Sequence, residues 1–132
     1  VADGTIAAIC SDHQPHEADA KLAPFPATQA GMSTLETLLP LTLRLAEEGV
    51  LPLMEAIRRV TTGPASIMGL PTGTLAPDAR ADITLVDPDK VYSPSADNWL
   101  SAGRNSPFFG WEFQGRVTHT LAAGRVIFES RK

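Results

Sequence analysis

One stretch near the start of the chain constrains the fold more than any other. Thr5-Ile6-Ala7-Ala8-Ile9-Cys10 is a short apolar run without strict alternation. That pattern suits a strand buried on both faces of a parallel sheet. Polar, reactive side chains follow it at once: Ser11-Asp12-His13-Gln14-Pro15-His16. A buried strand that ends in such a cluster predicts an α/β architecture, because parallel strands carry chemistry at their carboxyl ends.

Downstream, Gln14 to Met32 is rich in Pro, Ala and polar residues, and Pro15, Pro24, Pro26 and Gly31 argue against a regular helix there. Loops of this length are usually functional or disordered. Ser33-Thr34-Leu35-Glu36 has the form of a capping box, with Ser33 as N-cap and Glu36 reaching back to its amide. The helix it opens is expected to run to about Glu48, stop at Gly49 and kink at Pro40. A second helix opens at Pro52, with Leu53, Ile57 and Val60 on one stripe, and ends before Gly63-Pro64. A short third covers about Ala65 to Met68 and stops at Gly69.

From Gly73 onward the pattern turns to strands. Ile83 to Val86 is a strand candidate closed by Asp87-Pro88, and Val117 to Leu121 with Arg125 to Phe128 predict a hairpin around Ala123-Gly124. The chain thus divides into an α/β part, residues 1–70, and a β-rich part, residues 71–132.

Hydrophobic residues at 43% and charged residues at 20% fit an ordinary globular chain. A net charge of −4 with scattered Lys and Arg speaks against a nucleic-acid surface. No apolar run approaches the ~20 residues of a membrane span. The single cysteine, Cys10, rules out an internal disulfide, is consistent with a cytoplasmic setting, and is expected to be a small buried residue of the strand. The chain opens at Val1 with no signal-like segment, and the expectation is that it is part of a longer protein.

An aspartate at a strand's carboxyl end can hold a metal ion through one oxygen. It can also move a proton from an activated water to a leaving nitrogen. Asp12 has the competing reading of a turn or cap residue, and His13 that of a packed or surface histidine. Pro15 favours an extended loop from which His16 can project its ring. His119 lies in the hairpin as a face residue.

The segment Asp3-Gly4-Thr5-Ile6 with Ile9 through His16 resembles the eighth-strand signature of dihydroorotases, its most specific element being Asp12-His13-Gln14-Pro15-His16. Phe25, Ala30-Gly31-Met32-Ser33-Thr34-Leu35-Glu36-Thr37, Gly63-Pro64-Ala65 with Met68-Gly69-Leu70, and Arg104-Asn105-Ser106-Pro107-Phe108-Phe109-Gly110 are similar to later stretches of that family. Gly73 through Pro77 and Ala81 through Pro88 are shared more widely among cyclic-amide amidohydrolases.

The resemblance implies the last strand and closing helices of a metal-dependent hydrolase TIM barrel, then strands of a small β domain. It implies Asp12 as a zinc ligand and proton shuttle, with the other ligands upstream of this chain. It implies His16 as partner of a substrate carboxylate, and backbone groups at Ala30 and Gly31 against the cyclic amide. The implied activity is zinc-dependent, reversible hydrolysis of dihydroorotate to N-carbamoyl-aspartate in pyrimidine synthesis. The resemblance also admits a non-catalytic relative that scaffolds aspartate transcarbamoylase, a homo-oligomer and, more weakly, an allantoinase or hydantoinase. His16 counts against the last pair, whose rings carry no carboxylate. Gln14 and Ala30 depart from the usual small residue and proline.

Overall fold

A computed structural model describes residues 1–130. Its secondary structure is mixed helix and strand. Three helices come first: α1 (Leu38–Glu47), α2 (Leu53–Arg58) and α3 (Thr62–Ile67). An antiparallel sheet follows in the order β1-β2-β3, with β1 Ile83–Tyr92, β2 Phe113–Ala122 and β3 Arg125–Glu129.

The expected strand Thr5–Cys10 is not formed, although the stretch runs close to Arg59, whose carbonyl accepts the Ile9 N–H at 2.9 Å. A parallel strand needs a neighbour to receive its ladder bonds, and no described residue supplies one. Cys10 is accordingly exposed rather than buried. Arg59, only 9% exposed, grips this segment through the carbonyls of Val1 and Ala7 at 3.4 and 3.5 Å.

The capping box is also not formed. Ser33 is fully buried and its hydroxyl accepts the Trp99 indole N–H at 3.1 Å. Glu36 turns the other way, and its Oε1 accepts the N–H groups of Leu100 and Ser101 at 2.9 Å each. Two long-range partnerships have displaced one local one. A tight turn, Leu35–Thr37, precedes α1, so Pro40 falls in the first turn of the helix. There its missing N–H costs no helical bond, and no kink is required. Gly49, at φ +70°, ends α1 as expected. Gly63-Pro64 does not stop a helix but begins α3, for the same first-turn reason. Gly69, at φ +65°, terminates it.

In the sheet, β1 runs past Asp87-Pro88 instead of closing there. A register shift between Asp87 and Val91 takes the proline out of the ladder. The hairpin turn is where the sequence puts it: Ala123 and Gly124 have φ of +48° and +78°, both positive as in a type I′ turn. Helix α1 lies on β2 at Gly115, where an added Cβ would sit 2.4 Å from Leu43 Cδ1. Aromatic rings between Tyr92 and Phe113 pack on one another. Trp99 meets Phe109 edge-on at 5.2 Å, and Phe108 meets Trp111 likewise at 5.2 Å. Trp99 and Phe113 are almost fully buried. The loop carrying residues 99–109 thus connects this core to the reactive cluster at the chain's start.

Candidate functional site

The segment 11–16 lies alongside residues 30–35. His13 and Met32 form a parallel bridge, and the Gln14 N–H donates to the Met32 carbonyl at 2.9 Å. The Thr34 hydroxyl donates to the Ser11 carbonyl at 2.6 Å. The two stretches that the resemblance picked out are therefore neighbours in space.

Asp12 is exposed and has φ +43°. Aspartate adopts that left-handed conformation more readily than most residues. Its Oδ2 accepts a hydrogen bond from the Gln14 amide at 3.0 Å, and no described residue donates to Oδ1. Gln14 in turn lies against Gly31. A Cβ added to Gly31 would meet Gln14 Cβ and Oε1 at 2.5 Å, and Gly31 has φ +94°. Glycine at 31 thus serves both the backbone turn and the room for Gln14.

His13 points inward to the chain's own backbone. Its Nδ1 accepts the N–H groups of Thr34 and Leu35 at 3.0 and 3.1 Å, and Nε2 lies 3.5 Å from Ser101 Oγ. The ring caps the turn that leads into α1, so of the two readings left open at the sequence level the packed one describes its place.

His16 donates its ring Nε2–H to the Ala30 carbonyl at 2.9 Å. Its backbone is held at both ends. The His16 N–H donates to Asn105 Oδ1 at 2.8 Å, and its carbonyl accepts the Arg104 N–H at 3.0 Å. Asn105, 7% exposed, also donates through Nδ2 to the carbonyls of Gln14 at 3.0 Å and Gly31 at 3.4 Å. His16, Ala30 and Gly31 are therefore brought together, with Asp12 one glutamine side chain away. His119 stands apart on β2, 3.6 Å from Glu129.

Sequence reasoning did not assign roles to Gln14, Gly103, Arg104 or Asn105. The motif around Arg104-Asn105 was visible, but nothing local shows that an amide at 105 serves residues about ninety positions earlier. A polar side chain inside an aromatic-rich loop is the one signal that could have singled it out.

As for metal, the chemistry of the donor set fits one corner of a site. The Asp12 carboxylate is accessible and offers a free oxygen. No group of three or more His, Cys, Asp or Glu among the described residues could hold an ion. His13 cannot join Asp12, since its ring nitrogens face backbone amides and Ser101. A zinc site takes about four donors, more than the described residues bring together.

The model of the amidohydrolase family matches residues 1–127. The chain belongs to the amidohydrolase family. It is 44% identical over 127 residues to a dihydroorotase of Syntrophus aciditrophicus, covering 96% of this chain and 30% of that protein. It is 46% identical over 129 residues to a dihydroorotase-like protein of Pseudomonas aeruginosa, covering 98% of this chain and 30% of that protein. Among solved amidohydrolase structures, the L-hydantoinase (dihydropyrimidinase) of Arthrobacter aurescens superposes with a TM-score of 0.88 at 28% identity, over 96% of this chain and 30% of that one. The chain thus spans about 30% of the length of the relatives it matches. The expected fold class, α/β and part of an amidohydrolase barrel, holds, although the stretch expected as its last strand is unpaired here.

Proposed function

We propose that the full-length protein to which this chain belongs is a dihydroorotase, hydrolysing the cyclic amide of dihydroorotate reversibly to N-carbamoyl-aspartate in cytoplasmic pyrimidine synthesis. The observation that carries this reading is the convergence of His16, Ala30 and Gly31 beside an accessible Asp12. Relatives at 42–46% identity that bear the name dihydroorotase or dihydroorotase-like support it.

The ring of His16 explains why a carboxylate substrate fits. Its Nε2–H is already committed to the Ala30 carbonyl. In the neutral ring Nδ1 is then an acceptor, with nothing to give an anion. The doubly protonated ring has a second donor at Nδ1, and a carboxylate there makes a charge-assisted bond. Asp12 Oδ2 accepts one bond from Gln14 and retains a second lone pair, while Oδ1 has no donor among the described residues, so the carboxylate has an oxygen for a metal and one for a proton. In hydrolysis a carbon–oxygen bond forms at the ring carbonyl and the carbon–nitrogen bond breaks. Asp12 takes the proton from the attacking water and returns it to the departing nitrogen. Zinc, when bound by Asp12 and donors outside this chain, lowers the pKa of that water toward ~7.

The test is turnover by purified full-length protein, with zinc content measured on the same sample. Dihydroorotate hydrolysis with zinc present, and little hydrolysis of hydantoin, is the expected result. A protein that processes hydantoin instead is a hydantoinase, and one that processes allantoin an allantoinase. A second reading is a non-catalytic subunit that scaffolds aspartate transcarbamoylase; the name dihydroorotase-like, borne by a relative at 46% identity, leaves room for it. Absence of both zinc and turnover, together with co-purification of a transcarbamoylase, would establish that one.

A further inference from the structure

We propose that the Gly103-Arg104-Asn105 turn is a seat that sets the position of His16, with Asn105 as a positioning residue for recognition of the ligand's carboxylate. The proposal rests on the reading of His16 as the carboxylate partner and extends it to residues outside the reactive cluster.

Three consecutive residues act on the same short segment, each by a different means. Gly103 acts by having no side chain: an added Cβ would stand 2.4 Å from Pro15 Cβ, 2.7 Å from Pro15 Cα and 2.9 Å from the His16 nitrogen. Arg104 acts through its N–H, donated to the His16 carbonyl at 3.0 Å. Asn105 acts through its amide, which accepts from the His16 N–H at 2.8 Å. The orientation of that amide is fixed by its neighbours. Oδ1 faces an N–H, while Nδ2 faces the carbonyls of Gln14 and Gly31 at 3.0 and 3.4 Å. The backbone carbonyl of Asn105 also accepts the Ser33 N–H at 3.4 Å. One buried residue therefore ties the segment carrying His16 to the segment Gly31–Ser33.

With the backbone of His16 held on both sides and Nε2 held by Ala30, Nδ1 is the one polar atom of the residue without a partner among the described residues. Its direction is set by the seat. An error of about 1 Å in a positioned group can cost roughly a hundredfold in reactivity. The carboxylate bond should therefore be sensitive to the seat, while ring contacts that use neither His16 nor the Gly31 carbonyl should be indifferent to it.

Two substitutions in the full-length protein perturb the seat independently. Asn105→Asp keeps the acceptor for His16 but turns an oxygen toward two carbonyls. Gly103→Ala removes no hydrogen bond and pushes Pro15 instead. Calorimetric affinities for orotate, which carries the carboxylate, and uracil, which lacks it, give the readout. Gly103→Ala should weaken orotate at least about tenfold, the scale of one charge-assisted hydrogen bond, and leave uracil within about twofold; Asn105→Asp also disturbs the Gly31 carbonyl, and should weaken orotate at least about tenfold more than it weakens uracil. In a His16→Ala background Gly103→Ala should not weaken orotate further, because coupled residues are non-additive.

Equal weakening of both ligands, an unchanged orotate affinity in both variants, or a full effect on top of His16→Ala would overturn the proposal. If Asn105→Asp does not fold, Gly103→Ala decides alone. Wild-type protein that binds orotate but hydrolyses no dihydroorotate would refute the dihydroorotase reading and leave the seat standing. Wild-type protein that binds no orotate would refute both.

Discussion

Replacing His13 separates a structural histidine from a catalytic one. Its Nδ1 is the sole acceptor among the described residues for the Thr34 N–H and the Leu35 N–H, at 3.0 and 3.1 Å. Thr34 is 6% exposed, so its amide has no ready substitute in water. Leaving such a donor unpaired costs about 1–3 kcal/mol. Leu35 is 59% exposed, and its amide can turn to solvent at a cost of about 0.5 kcal/mol. His13→Ala should therefore destabilise the protein by about 2–3 kcal/mol. His13→Asn places an amide oxygen close to where Nδ1 stands and should recover more than half of that loss. Urea unfolding of full-length wild type and both variants, followed by tryptophan fluorescence, measures this, with zinc content determined in parallel. A native midpoint for His13→Ala would refute the capping role. So would a failure of Asn to rescue while both variants lose zinc, since that would make the ring a metal ligand.

Asp12→Ala in the full-length protein should abolish dihydroorotate turnover while shifting stability by less than about 1 kcal/mol, because the side chain is exposed and its one hydrogen bond is local. Paired activity and thermal-melt measurements check it. Gly31→Ala meets both a φ of +94° and Gln14 at 2.5 Å, for about 2–4 kcal/mol in urea unfolding; adding Gln14→Gly, which removes the clashing Cβ as well as the amide, should return the steric share and leave about 1–2 kcal/mol. Ala123→Asn, at φ +48° in the hairpin turn, should raise stability by about 0.5–1 kcal/mol, seen as a higher melting temperature. The isolated 132-residue chain should hydrolyse no dihydroorotate in a direct assay, since one carboxylate does not make a zinc site.

What could be read from the residues alone follows a physical division. Features set by a residue's own backbone were legible: the helix stops at Gly49 and Gly69, and the turn at Ala123-Gly124. So was the meeting of segments 11–16 and 30–35, through their resemblance to one family. Features that depend on a distant partner were not. Ser33 and Glu36 have the right spacing for a capping box, yet each found a better partner in the 99–101 loop. Pro40 and Gly63-Pro64 look like helix breakers until the helix start is known, and then they sit where proline is harmless. Thr5–Cys10 has strand composition, but composition cannot supply the neighbouring strand. Within the site, Asp12 and His16 announce themselves as reactive side chains. The groups that orient them act through a glutamine, a glycine and an asparagine, which carry no chemical signature of their own.

The hydrogen bonds from residue 105 back to residues 14 and 16 span 91 and 89 positions. Contacts so far apart in the chain must wait for loop closure and form late. During synthesis at about 5–20 residues per second, roughly 5–20 s separates the emergence of His16 from that of Asn105. Over that interval the reactive segment can fold against Met32 and Thr34, but it has no seat. The site is thus completed from behind, by the later part of the chain. A nascent protein cut short before this turn would carry Asp12 and His16 in full and still lack the means to aim them.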